Sequence, residues 1–252
     1  MEVHHHAHTS RKKWTHYFWE FIMLFLAVFC GFLAEYQLEH QIEKDRAKQY
    51  ISSLYEDLKT DTARLNHLIG YDQEKISVLN TMINCYDSVS KNLDATGCTG
   101  ILIKHSKSNR SFHITDRTLR QLANAGGFRL LRKQDADSIL AYESLFIQYQ
   151  NFENTIFQEA QDNVRNTLNQ LADFKVLYPM QISVSILTNI DTSDSLLKGP
   201  LLFSADKVLM NKWFNELAMY LRVTNAQRNL LIAFRNKATG LIEYYKQKHP
   251  LE

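Results

Sequence analysis

Residues 14–36, WTHYFWEFIMLFLAVFCGFLAEY, form one apolar stretch that follows Arg11, Lys12 and Lys13, and this constrains the chain more than anything else in it. The uncharged run from Phe21 to Ala34 spans only ~21 Å as a helix, short of a ~30 Å hydrocarbon core. Counting from Trp14 gives ~32 Å, enough to cross. Trp14, Tyr17 and Trp19 suit one headgroup interface, Tyr36 the other. Basic residues kept in the cytoplasm place residues 1–13 inside as a short tail and 37–252 outside. A cleaved signal peptide fits less well: Ala34 lacks a small residue two positions earlier, where Phe32 stands. Glu20 is the one ionisable group well inside the span's edge. It either reaches headgroups, with His16 one turn back as a hydrogen-bonding partner, or pairs with a basic group on a neighbouring membrane helix.

The exported part suits one domain or one elongated bundle. With 29 basic and 27 acidic residues, no basic field remains to engage nucleic acid. Eight Gly and three Pro favour long helices over a turn-rich β fold. Cys30 lies in the span as a packing residue. Cys85 and Cys98 lie outside it, spaced for a disulfide that an oxidising compartment would allow; otherwise they are two thiols.

The expected fold is all-α: a transmembrane helix continuing into an elongated antiparallel bundle of three long helices, one short helix and a small loop cap. The long helices are expected over about 37–91, 136–174 and 205–247, and the cap over about 92–134. In the first, two rows recur at heptad spacing: Ile51, Leu58, Leu65, Asp72, Leu79, Tyr86, and Tyr55, Thr62, Ile69, Ile76, Ile83. Asp72 and Thr62 interrupt them, which favours packing within the chain over a long homodimeric zipper. In the cap, ILIK at 101–104 reads as a short strand. A helix over about 116–125 follows, with Thr115 as N-cap and Gly126-Gly127 as terminator; Asp135 then caps the second long helix. Residues 175–204 are read as non-helical, with Ile182, Val184 and Ile186 extended, and Ser204 or Asp206 opens the last helix. Expected inward residues include Tyr142, Phe146, Tyr149, Phe152 and Ile156, then Trp213, Leu217, Leu231, Phe234, Leu241 and Tyr245. If successive long helices alternate direction, the cap lies far from the membrane and the 175–204 connection close to it.

The segment TDRTLRQLANAGGFRLLRKQDADSILAYESLF (115–146) runs a short helix, a glycine turn, an RLL segment and a long helix with an early aromatic. Together with the opening HHHAHTSRKKWTHYFWEFIMLFLAVFCGFLAE, it resembles uncharacterised Bacteroidetes inner-membrane proteins with a single span and an exported helical domain. The resemblance covers about a quarter of the chain. It implies a single-pass protein of the inner (cytoplasmic) membrane with a periplasmic bulk, and it transfers no catalytic residue.

Motif chemistry is sparse. His4, His5, His6 and His8 are dense enough to attract a transition metal, but nothing fixes their geometry, so no metal or other cofactor is expected. His105, His113 and Asp116 near Cys98 lack the spacing of a hydrolase or zinc site, and no phosphate-binding or nucleophile motif occurs. Asn109-Arg110-Ser111 matches a glycosylation sequon. The aromatics Tyr142, Phe146, Tyr149, Phe152 and Phe157 either line an apolar ligand pocket or fill the core. The expected function is a non-enzymatic structural or interaction protein of the cell envelope, its partners the bilayer and a second copy or another envelope protein. The alternative is an extracytoplasmic sensory or small-ligand-binding module working through a separate transducer.

Overall fold

The computed structural model describes residues 14–91, 109–175, 202, 204 and 206–249. Among them there is no strand, and the fold is all-α. Helix α1 runs unbroken over Trp14–Ile83, ~105 Å of axis. After a turn at Asn84-Cys85 comes α2, Tyr86–Lys91. Helix α3 covers Arg117–Asn124, and a 3-10 turn covers Gly127–Leu130. Helix α4, Lys133–Phe152, passes through a π-turn, Glu153–Phe157, into α5, Gln158–Leu171. Helix α6 spans Lys207–Lys248.

The first part of α1 packs against no other element among the described residues. An 18-residue window near its start has mean hydropathy 2.0 with none of it buried, long and apolar enough to cross a membrane. Trp14 is 80% and Trp19 63% exposed. Ile51 is the first fully buried residue. From there α1 forms a three-helix bundle with α4–α5 and α6, and α3 and the 3-10 turn pack beside it.

Residue pairs fix the directions. Asp61 meets Tyr142, while Leu79 and Met82 share a cluster with Leu168 and Leu171, so α1 and α4–α5 run the same way. Tyr244 meets Asp135, Gln227 meets Tyr149 and Tyr220 meets Phe157, so α6 opposes both. The expected alternation therefore fails. Residues 109–132 are no distal cap: they lie against His67 to Tyr50, heading towards the apolar end of α1. The end of α5 and the approach to α6 meet at the far end, where Ala172 bridges Leu202. The physical reason lies in the described part of the return run: 109–116 carry no helix and are held to α1 by polar bonds, a pattern that apolar periodicity does not register.

Local rules explain the boundaries. Asp206 caps α6, its carboxylate accepting from the amides of Val208 (2.8 Å) and Leu209 (3.3 Å). After α3, Gly126 takes φ 64°, which side chains resist. At Gly127 a Cβ would lie 2.8 Å from Leu122 Cδ2 and 3.2 Å from Tyr50, so the turn closes only on glycine. Two expected caps differ. Thr115 does not cap α3 but bonds Asp61; Asp135, inside the first turn of α4, is buried and accepts from Tyr244 (2.8 Å).

The π-turn also corrects the register. It inserts one residue, so Ile156 lies 52% exposed and Phe157 is fully buried instead. The ILIK stretch and Ile182–Ile186 lie outside the described residues.

Candidate functional site

The buried face of α1 carries two heptad rows. Ile51, Leu58, Leu65, Asp72 and Leu79 make the first, as expected, whereas Tyr86, expected to end it, lies exposed in α2 past the turn at Asn84-Cys85. The second is Leu54, Asp61, Leu68, Lys75 and Met82, one position before the expected Tyr55 row, of which only Ile69 and Ile76 are buried. The shifted row was hidden because two of its five members are charged. Those charges, with Asp72 in the first row, form the polar heart of the bundle.

Nearer the apolar end, Asp57 and Asp61 hold the return run against α1. Asp61 accepts from the Thr115 amide (2.9 Å), the Thr115 hydroxyl (2.7 Å) and the Tyr142 hydroxyl (2.8 Å). Burial pushes its pKa up, and these three bonds oppose the rise. Asp57 takes Arg117 at 2.8 Å and the Thr118 hydroxyl. The adjoining cavity, about 10 Å³, has room for about one water.

About three to four turns further on, a polar layer separates two hydrophobic clusters, one from Ile51 to Tyr245 and the other from Leu79 to Val223. Lys75 is wholly buried there, and its ammonium has no hydrogen-bond partner among the described residues. It lies 5.0 Å from the Phe157 ring centroid, 5.1 Å from Tyr220 and 5.6 Å from Tyr71. Contacts of this kind contribute ~2 kcal/mol when desolvated, less than the several kcal/mol of burying an ammonium. Burial accordingly lowers its pKa to about 8, against the pull of Asp72 and Glu153. Burial raises the Asp72 carboxyl to about 7, opposed chiefly by Lys75.

Glu153, 6% exposed, enters this layer because the π-turn begins at it. It accepts from Asn109 Nδ2 at 3.0 Å. The Tyr149 hydroxyl accepts from the Phe112 amide at 3.3 Å and Gln227 at 3.4 Å. Burial and the Glu153 charge raise its pKa. Gln161 donates to the Tyr220 hydroxyl at 3.3 Å. The Arg110 guanidinium covers Tyr71 from outside at 4.6 Å. Asn109, the sequon residue, is thus engaged as a donor to Glu153.

Lys75 lines neither the water-sized cavity beside Asp61 nor the two open grooves of about 430 and 780 Å³. Chemically, the layer can exchange protons and fix helix register. Tyr142, Tyr149 and Phe157 are core residues: Tyr142 stacks on Phe234 (4.5 Å between centroids), and Phe112 meets Phe234 edge-on at 5.2 Å.

The site residues expected from sequence fall elsewhere. His4, His5, His6, His8, Arg11, Lys12, Lys13, His105 and Cys98 lie outside the described residues. Trp14 and Trp19 are on the bare part of α1, where His16 Nε2 approaches Glu20 at 3.1 Å. Cys30 is free and exposed, and Cys85 is disulfide-bonded. His113 is exposed, and Asp116 pairs with Arg120 at 2.6 Å. Among the described residues no group of three or more His, Cys, Asp or Glu is placed to hold a metal ion. Lys75, Glu153 and Gln227 escaped sequence reasoning, although a charge standing in a heptad row was the available signal. No family model, curated protein or solved structure matches the chain.

Proposed function

We propose that this is a single-pass membrane protein that presents its helical bundle outside the inner membrane and acts by binding other envelope proteins or itself, without catalysis. Residues 1–13 lie in the cytoplasm, and the bulk is periplasmic. The carrying observation is the continuity of α1: its apolar first part is bare of packing, and the same helix supplies the bundle's seam from Ile51 onward. A core helix of a soluble protein would have that apolar length covered, and here none of the window is. The basic flank Arg11–Lys13 sets the direction. A Cys85–Cys98 bridge accords with that compartment. The interaction reading is preferred over ligand sensing because the aromatic row of α4 is consumed by core packing and the cavity nearest it is about water-sized.

The test is sodium carbonate extraction of membranes, followed by protease treatment of intact spheroplasts. The protein is expected to stay in the pellet and to lose the bundle to protease. Release into the supernatant, or a bundle protected in whole spheroplasts, overturns the reading.

A further inference from the structure

A second feature stands where α1 leaves its bare apolar part. A groove of about 780 Å³ opens between α1 and the base of the bundle, formed by the 3-10 turn, the start of α4 and the end of α6. Five fixed cations line it: Lys44, Lys48, Arg129, Arg132 and Lys248. All five are exposed. Of these, Lys48 has a carboxylate nearby, Asp45 at 3.9 Å; the other four have no ion-pair partner among the described residues. Three carboxylates share the lining. Asp135 is already engaged, by Tyr244 at 2.8 Å and His249 at 3.6 Å. Glu39 and Glu43 stand on the α1 wall. His40 and His249 complete the polar lining, and Ala47, Ile51 and Leu131 give the groove an apolar back.

Its position is as specific as its charge. The lining begins at Glu39, three residues past Tyr36, which is ~5 Å along the axis, within the headgroup layer of a bilayer crossed by 14–36. Leu38 and Ile42, 63% and 42% exposed, carry the apolar surface up to the mouth. Lysine and arginine side chains at such a height extend towards headgroups. Four unpaired cations over an apolar back thus match a phosphate ester attached to acyl chains.

We propose that this groove binds the headgroup of an anionic phospholipid, with the phosphate held by Arg129 and Arg132 and flanked by Lys44 and Lys248. The assignment rests on the membrane reading above. It adds lipid selectivity, which a plain hydrophobic anchor lacks. Docking the base of the bundle on headgroups also fixes its height and tilt over the bilayer.

The test uses the full chain purified in neutral detergent, titrated with phosphatidylglycerol or phosphatidylcholine of matched acyl chains and read by native mass spectrometry. Phosphatidylglycerol is expected to bind at least about fivefold more tightly, the effect of one basic residue at an anionic surface. Arg129→Gln with Arg132→Gln is expected to weaken it about 25-fold, with unchanged circular dichroism. Lys207→Gln with Arg222→Gln, away from the groove, is expected to leave it unaltered. Equal binding of the two lipids, or an Arg129/Arg132 variant that keeps the preference, overturns the proposal. So does displacement of the lipid by inorganic phosphate at equal concentration, which would mark a site for free anions. Carbonate washing of the membranes from which the protein is purified separates the causes. A protein that stays embedded yet shows no preference refutes the lipid site alone; one that washes out refutes the anchor as well.

Discussion

Lys75 and Asp72 carry opposite charges in the driest part of the bundle, and each is held away from its ordinary ionisation by burial. Their linkage to stability has a definite sign. Asp72, raised to about 7 from 3.8, contributes fully below its unfolded value, and that contribution disappears as pH climbs through about 7. Lys75, lowered to about 8 from 10.5, contributes fully above its unfolded value and loses it as pH falls through about 8. The pair is therefore least favourable between about 7 and 8. Lys75→Met alone leaves Asp72 and Glu153 without their nearest cation and should cost about 3 kcal/mol. With Asp72→Leu, which restores the heptad residue, stability should return to within ~1 kcal/mol of the parent or exceed it. Urea unfolding of both variants across about pH 4 to 10 checks this, and the dip near neutrality should vanish in the double variant. A single variant as stable as the parent would show that Lys75 does not compensate the carboxylates. These residues were legible only in part. Asp72 fell in the right row and read as a flaw in it; Lys75 and Asp61 concealed their row altogether, because an apolar pattern weakens wherever a polar group is deliberately enclosed.

The π-turn shows where periodicity stops being sufficient. A wide turn needs no glycine or proline and leaves no composition signal, so a single unbroken helix over 136–174 was the natural reading. Its bounds came close to the observed Lys133–Leu171, and Ala160, Val164, Leu168 and Leu171 lie inward as expected, but at the wide turn Phe157 takes the place expected for Ile156. A turn with one extra residue can be undone by removing one. Deleting Ile156, which is half exposed, should convert the stretch to regular α-helix while α4 and α5 keep their contacts on either side. Circular dichroism should show helix content unchanged, and Tm should move by only a few degrees, about what ~1 kcal/mol produces. Loss of cooperative unfolding would mean that the wide turn holds more than register. The glycine turn after α3 was readable from Gly126-Gly127 alone. Its location was not, since what pins it to α1 is a set of carboxylates on the partner helix.

The molecule as a whole divides at about Ile51. The all-α class, the three long helices and the bare apolar segment were all legible, since each rests on long-range periodicity or on its absence. Helix directions were not: the return run depends on polar bonds from Asp57 and Asp61, and these have no periodic trace. Because none of the described residues before Ile51 is fully buried, a chain beginning at residue 43 should fold with unchanged cooperativity. Thermal unfolding within about 1 kcal/mol of the full protein is expected; a molten bundle would refute the division. The unbroken α1 has a mechanical corollary. At 100° per residue, Cys30 is set about 60° around the axis from Ile51. Its azimuth is dictated by core packing some 30 Å away; under the membrane reading proposed above, the flank that meets a neighbour in lipid is thus chosen by residues that never touch lipid. Under the same reading, turning the apolar part about its axis would strain the seam, because one helix carries both.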